Sequence, residues 1–161
     1  VAFFTFIHCA ETDQQAMENG AAEAAAWYTN GSFTFFEAKE AFLRTYAEEQ
    51  ALLNDPAGGG LTGQFLRERA NRSPATTRAQ SIIARIMQGE DVPSQEVFDG
   101  LSEQDSLIVG SPETCRQKMK VYKDLGIDRL LCFQQVARLP HEAVMSSIRQ
   151  IGKLIPEFDR P

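Results

Sequence analysis

The feature that most constrains this chain is its opening run, Val1-Ala2-Phe3-Phe4-Thr5-Phe6-Ile7. It is apolar at nearly every position, rich in β-branched and aromatic residues, and it stops at the polar Glu11-Thr12-Asp13. Continuous rather than alternating apolarity marks a strand covered on both faces, which is the condition of strands in parallel sheets. Two shorter runs share the character: Leu107-Ile108-Val109, and Arg129-Leu130-Leu131-Cys132-Phe133-Gln134. Buried strands separated by helical patterns imply parallel pairing through right-handed crossovers, so the expected fold class is α/β with about three βα units.

The intervening segments supply the helices. Thr12 can cap a helix in which Ala16, Gly20, Ala24 and Trp27 recur at helical spacing, ended by Asn30-Gly31-Ser32. A second pattern runs from Phe33 to Leu53, before Asn54-Asp55-Pro56-Ala57-Gly58-Gly59-Gly60 breaks all regular structure and is expected to be mobile. Further helices are expected at Thr76–Gln88, closed by Gly89, and around Ser94–Leu101, with no strand between, so residues 54–104 read as a helical insertion. In the last third, Pro112 opens a helix whose Cys115, Met119 and Tyr122 share one face and which Gly126 closes. A final helix starts near Pro140, carries Val144, Ile148, Ile151 and Ile155 on one stripe, and ends at Pro156.

Composition excludes several classes. With 161 residues, 43% hydrophobic and 24% charged, the chain has the make-up of an ordinary globular domain. The net charge of −6 argues against a nucleic-acid partner, because the one basic cluster, Arg67, Arg69 and Arg72, is interrupted by Glu68 and carries no stacking aromatics. Cys9, Cys115 and Cys132 are an odd number without zinc-site spacing, which fits a reducing cytoplasm and predicts no bound metal. The apolar start is too short to span a bilayer and lacks the basic flank of a signal peptide. A first residue other than Met suggests processing, proteolysis or a beginning that lies upstream.

Three βα units do not close a sheet. An open doubly-wound sheet usually has more strands and a glycine-rich first turn. A (β/α)8 TIM-type barrel needs eight units in about 250 residues, so this chain is expected to be the C-terminal part of one, with five units upstream. Alone it would expose strand edges and helix faces. The coverings expected, in order, are a missing N-terminal half, self-association with a second copy, and rearrangement into a different packing.

Four strings point to a family: Val109-Gly110-Ser111-Pro112-Glu113; Gly126-Ile127-Asp128; Leu139-Pro140-His141-Glu142; and Ile155-Pro156-Glu157-Phe158. Together with Phe6-Ile7-His8-Cys9-Ala10-Glu11-Thr12 and Ala16, their order and spacing resemble the C-terminal end of luciferase-like flavin-dependent monooxygenases, the first strand matching the sixth of that barrel. Residues from about 50 to 100 carry no resemblance. The resemblance implies reduced flavin mononucleotide (FMN) supplied by a separate flavin reductase, or a deazaflavin in its place. It also implies oxygen activation and oxidation of a small organic substrate such as an aldehyde or alkane. The protein's share would be to hold the flavin, exclude water and orient the acceptor. The phosphate grip and the catalytic residues would lie before Val1, leaving the fragment alone without cofactor or activity. The alternative is an inert barrel fragment acting as an oligomerisation or regulatory module.

Ligand-facing groups of a barrel sit at the carboxyl ends of strands, which points to His8 and Cys9, to Gly110 and Ser111, and to Gln134 and Gln135. His8 could bond a flavin or move a proton, yet a lone histidine at a strand end also serves as a structural hydrogen-bonder. Ser111 could bind an anion at a helix N-terminus or simply cap the helix. Gln134 or Gln135 could touch the isoalloxazine edge or the substrate. Cys9 has no basic neighbour to activate it and reads as packing, and His141-Glu142 lacks the second histidine of a metal motif.

Overall fold

A computed structural model describes residues 1–55 and 59–158. It has three strands, β1 (Ala2–Cys9), β2 (Ile108–Gly110) and β3 (Arg129–Phe133), and eight helices among those residues: α1 (Asp13–Glu18), α2 (Ala21–Phe35), α3 (Lys39–Asn54), α4 (Gly60–Arg72), α5 (Pro74–Met87), α6 (Ser94–Ser102), α7 (Pro112–Asp124) and α8 (His141–Leu154). A 3-10 turn at Ile155–Glu157 follows α8. The chain divides into two compact units, residues 1–28 with 93–161, and residues 29–92.

The first unit holds the sheet. All pairing is parallel, as the apolar runs predict, and the strand order is β2-β1-β3. The two neighbours of β1 are staggered: Ala2 to Phe6 pair with Arg129 to Phe133, whereas Ile7 to Cys9 pair with Ile108 to Gly110. Three consecutive barrel strands would instead lie in chain order with β2 in the middle. The physical reason for the difference is the edge of β1, which would lie unpaired if β3 followed β2, and which β3 closes.

Alternation along β1 divides the unit into two layers. Ile7 and Cys9 join Ile108, Cys115, Met119, Tyr122, Ile151 and Leu154 in the buried cluster under α7 and α8. The Phe3 ring lies 5.1 Å from that of Tyr122 on the same face. On the opposite face the Phe133 ring meets Phe4 at 5.4 Å and Tyr28 at 5.1 Å. The expectation of complete cover fails at the amino end of β1, where Phe4 stays 53% exposed and Leu131, its partner in β3, 54% exposed. Only the carboxyl half of β1 is sealed, and β3, whose apolar run implies burial, has no buried residue because it is an edge strand.

Several helix boundaries follow local chemistry. Thr12 caps α1 by accepting from Gln15 N, and Ser111 caps α7 by accepting from Thr114 N. The single helix expected after Thr12 is two, because Gly20 takes φ 75° and breaks the run. The helix then passes through Asn30-Gly31-Ser32 and stops only at Phe35. In the second unit α3 begins at Lys39 rather than Phe33, after Glu37 at φ 54°. The helix α4 is one the sequence pattern did not announce, and it begins inside the expected glycine break. Of that break, Pro56, Ala57 and Gly58 lie outside the described residues. Within this unit α3, α4 and α5 pack on one another, burying Leu66, Ile82 and Met87, with Arg69 paired to Glu49 at 2.6 Å.

Lys118 is buried under α7, and its ammonium donates to the carbonyls of Ser102, Gln104 and Leu107, tying α6 and the entry of β2 to the helix. Burial pulls its pKa below the ordinary lysine value. Lys118→Met keeps the apolar stem but strands three acceptors, so chemical denaturation should show a loss of about 2 kcal/mol.

Candidate functional site

The carboxyl ends of β1 and β3, with the loops that leave them, form the candidate site. A parallel ladder ends where backbone partners run out. Ala10 N still donates to Gly110 O at 3.0 Å, but Cys9 N points the other way, to the edge β3 no longer reaches. Ser147 of α8 fills that gap: its hydroxyl accepts from Cys9 N at 2.8 Å and donates to Gln134 Oε1 at 3.0 Å. The residue is fully buried, so one hydroxyl joins the exits of β1 and β3 to α8.

His8, also fully buried, projects from the other face of β1. Asn19 Nδ2 lies 3.0 Å from His8 Nε2 and donates to it, which puts the imidazole proton on Nδ1. That Nδ1 has no hydrogen-bond partner among the described residues. Burial lowers the pKa of His8 from its ordinary 6.5, so the ring is neutral at pH 7.

Asn19 is shared by two clefts. The larger, about 640 Å³, has one wall from Asn19, Gly20, Glu23, Ala24 and Trp27 and another from Ala137, Arg138 and Leu139. The smaller, about 260 Å³, lies between Cys9, Ala10 and Gln15 on one side and Glu142, Ala143 and Ser146 on the other. Gln135 shapes the larger cleft from behind, donating from Nε2 to Leu139 O at 3.3 Å. The loop so closed holds Ala137 at φ 50°, a left-handed conformation that costs a residue with a Cβ about 1–2 kcal/mol. Glu23 Oε2 is shut off from solvent and has no hydrogen-bond partner among the described residues. The amino end of α2 offsets part of that cost, but a buried acceptor without a donor still carries about 1–3 kcal/mol.

Ser111 stands apart from both clefts. Its N–H donates to Asp13 Oδ1 at 2.5 Å, and Thr114 Oγ1 donates to the same oxygen at 2.9 Å, so a carboxylate already sits at the amino end of α7. The hydrogen bonds from Ser111 and Thr114 outweigh partial burial and hold Asp13 below the usual carboxylate range. Gly110, at φ 147°, makes room for this arrangement, since a Cβ there would lie 2.5 Å from Asp13 Oδ1. Cys115 is a free, buried cysteine whose hydrogen bond with Cys9 and whose burial push its thiol up, which leaves it protonated and inert.

Of the residues singled out in the sequence, Cys9 lines the smaller cleft, Ser111 lies apart from both, and His8, Gln134 and Gln135 stand behind the walls. His8 positions Asn19, Gln135 positions Leu139, and Gln134 is held by Ser147. Sequence reasoning missed Asn19, Glu23 and Arg138, which carry no motif, and read Trp27 as a packing position although it is 59% exposed. No group of histidine, cysteine or acidic side chains suited to a metal ion occurs among the described residues, and no helix there is long and apolar enough to cross a membrane.

Two outcomes follow from the buried polar groups. Ser147→Ala leaves Cys9 N–H and Gln134 without their partner and should lower stability by about 1–3 kcal/mol in chemical denaturation. His8 gives a pH signature: the unfolded chain takes up its proton near pH 6.5 while the folded ring resists it. Stability should therefore fall as pH drops below about 6.5 towards the folded-state value and be unaffected by this group above it. A His8→Gln variant should lose that part of the slope, measured as the difference from the unmodified chain.

No protein-family model, no curated protein and no solved structure matches this chain.

Proposed function

We propose that the chain is the C-terminal portion of a luciferase-like flavin-dependent monooxygenase that oxidises a small organic substrate in the cytoplasm, and that it forms one wall of that enzyme's pocket. The observation that carries the reading is the resemblance of the five strings, in order, together with where they fall. They lie at the exit of β1, at the junction of β2 with α7, at the α7–β3 turn, at the start of α8 and at its end. In a (β/α) barrel the exits of β1 and β2 and the approach to α8 lie on the carboxyl face that borders the ligand, whereas the α7–β3 turn and the end of α8 lie on the opposite face.

The described residues fit the flavin only in part. The cleft beside Trp27 offers an aromatic and apolar surface, but the amino end of α7 holds Asp13, and Arg138 is the lone cationic side chain lining either of the two clefts. A phosphate grip is therefore assigned to strands outside this chain, and no chemical step is derived through the cofactor. When bound, reduced FMN from a separate reductase, or a deazaflavin, supplies the redox chemistry. This chain's residues orient the acceptor and exclude water. In the complete barrel β3 would leave the edge of β1 for that of β2, making way for the preceding strand.

A second reading, an inert module that self-associates, is favoured by the exposed Phe4 and Leu131 on one face of the sheet. One experiment separates the two: the intact mass of the natural polypeptide under denaturing conditions, with a native-condition titration of oxidised and reduced FMN. The monooxygenase reading expects a mass above 17.9 kDa, or a co-purifying second piece, with FMN bound. A natural polypeptide of 17.9 kDa that binds no FMN and sediments as an oligomer overturns it in favour of the second.

A further inference from the structure

We propose that the cleft between the amino half of α2 and the 137–139 loop is a binding site for a small organic amine with an apolar or aromatic body. This inference stands apart from the flavin reading and needs no flavin for its test.

Three observations converge on the cleft. Trp27 presents an exposed indole to it, although a tryptophan is among the side chains with most to gain from burial. Ala24 and Leu139 extend that surface as apolar wall. Glu23 contributes a carboxylate whose Oε2 has no hydrogen-bond partner among the described residues. The ordinary use of a glutamate at the third position of a helix is to reach back to the N-cap amide. Here the N-cap is Gly20, and its N–H is already given to Met17 O at 2.8 Å. The carboxylate is thus left without its usual local partner on the wall of a cleft of about 640 Å³.

A carboxylate without a donor beside an open indole face is the pairing that recognises an ammonium group: charge-assisted hydrogen bonding from one side, cation–π attraction from the other. An anionic ligand would add a second negative charge next to Glu23. Arg138 lines the opposite wall, is exposed, and forms no ion pair with Glu23. It can receive a second, acidic group of the same ligand but does not neutralise the carboxylate. Reaching Glu23 Oε2 takes a rotation of the carboxylate group, which no hydrogen bond restrains.

Trp27 is the single tryptophan of the chain, so its fluorescence reports this cleft alone. Phenethylamine is the probe, with 2-phenylethanol and phenylacetate as neutral and anionic analogues of the same shape, titrated into the full chain at low salt. The expected result is saturable quenching by phenethylamine, at least about tenfold weaker binding of both analogues, and a loss of about tenfold or more in Glu23→Gln. The variant keeps the side-chain shape, and circular dichroism checks its fold. If it does not fold, the ranking of the three probes on the unmodified chain, and the weakening of the amine by salt, decide. Absence of saturable quenching by phenethylamine up to about 10 mM, equal binding of amine and alcohol, or preference for phenylacetate each overturn the proposal.

Discussion

The pairing of β1 on both edges is the constraint on which the first unit rests. A strand with neighbours on each side and helices over its faces has no polar surface left to spend, and Val1 to Cys9 contains almost none. The stagger of its partners gives that strand two regimes. Its first five paired residues lean on β3, where cover is partial, and its last three on β2, where Ile7, His8 and Cys9 are wholly buried. At the boundary the ladder hands over to side chains. Ser147 takes the Cys9 amide, Asn19 takes the His8 ring, and Asp13 takes the Ser111 amide. Each of these contacts joins a strand end to a helix that the chain reaches elsewhere, and together they fix the loops that wall the clefts.

How legible was this in the sequence? The three strands were, because a continuous apolar run favours a parallel strand, although only β2 and the carboxyl half of β1 are buried as that run implies. The caps at Thr12 and Ser111 and the stop at Gly126 were legible for the same kind of reason, each residue type serving one local need. The α1–α2 break was obscured, since Gly20 sits at a spacing that an unbroken helix would also tolerate. The helix α4 hid behind the glycines and Asp55-Pro56 that precede it. Sheet order was out of reach: an apolar run marks where a strand forms, not beside which neighbour. The candidate site was legible to the extent that strand ends are, so His8, Gln134 and Gln135 came to notice as candidate ligand contacts, while their bonds to Asn19, Ser147 and Leu139 emerge only in the structure. The wall residues lie on a helix and in a loop, where a lone Glu23 or Arg138 looks like any solvated charge.

The polar interior around Asn19 has a character unlike the rest of the unit. Two buried atoms without partners, His8 Nδ1 and Glu23 Oε2, and a left-handed Ala137 belong to the same pair of strand exits. Elsewhere in the unit buried polar groups are closely matched, as where Lys118 meets three carbonyls. Unsatisfied groups and backbone strain are tolerated when the surroundings hold them in place, and they gather where a protein meets something other than itself. The sheet and the helices α7 and α8 supply the rigidity, and the loops on top carry the cost.

The order β2-β1-β3 also bears on how the chain is made. Of the three strands β1 is made before its neighbours, yet Phe3 and Phe4 pair with Leu130 and Leu131, which are made only after α1 to α7 have been completed. The helices α3 to α5 close through contacts near in sequence and can form early, whereas the sheet waits on a closure spanning most of the chain. Of these three strands, the earliest made therefore waits longest to be fully paired. Its phenylalanines stay unpaired while residues 5–128 are made, an interval in which open apolar surface is prone to aggregate.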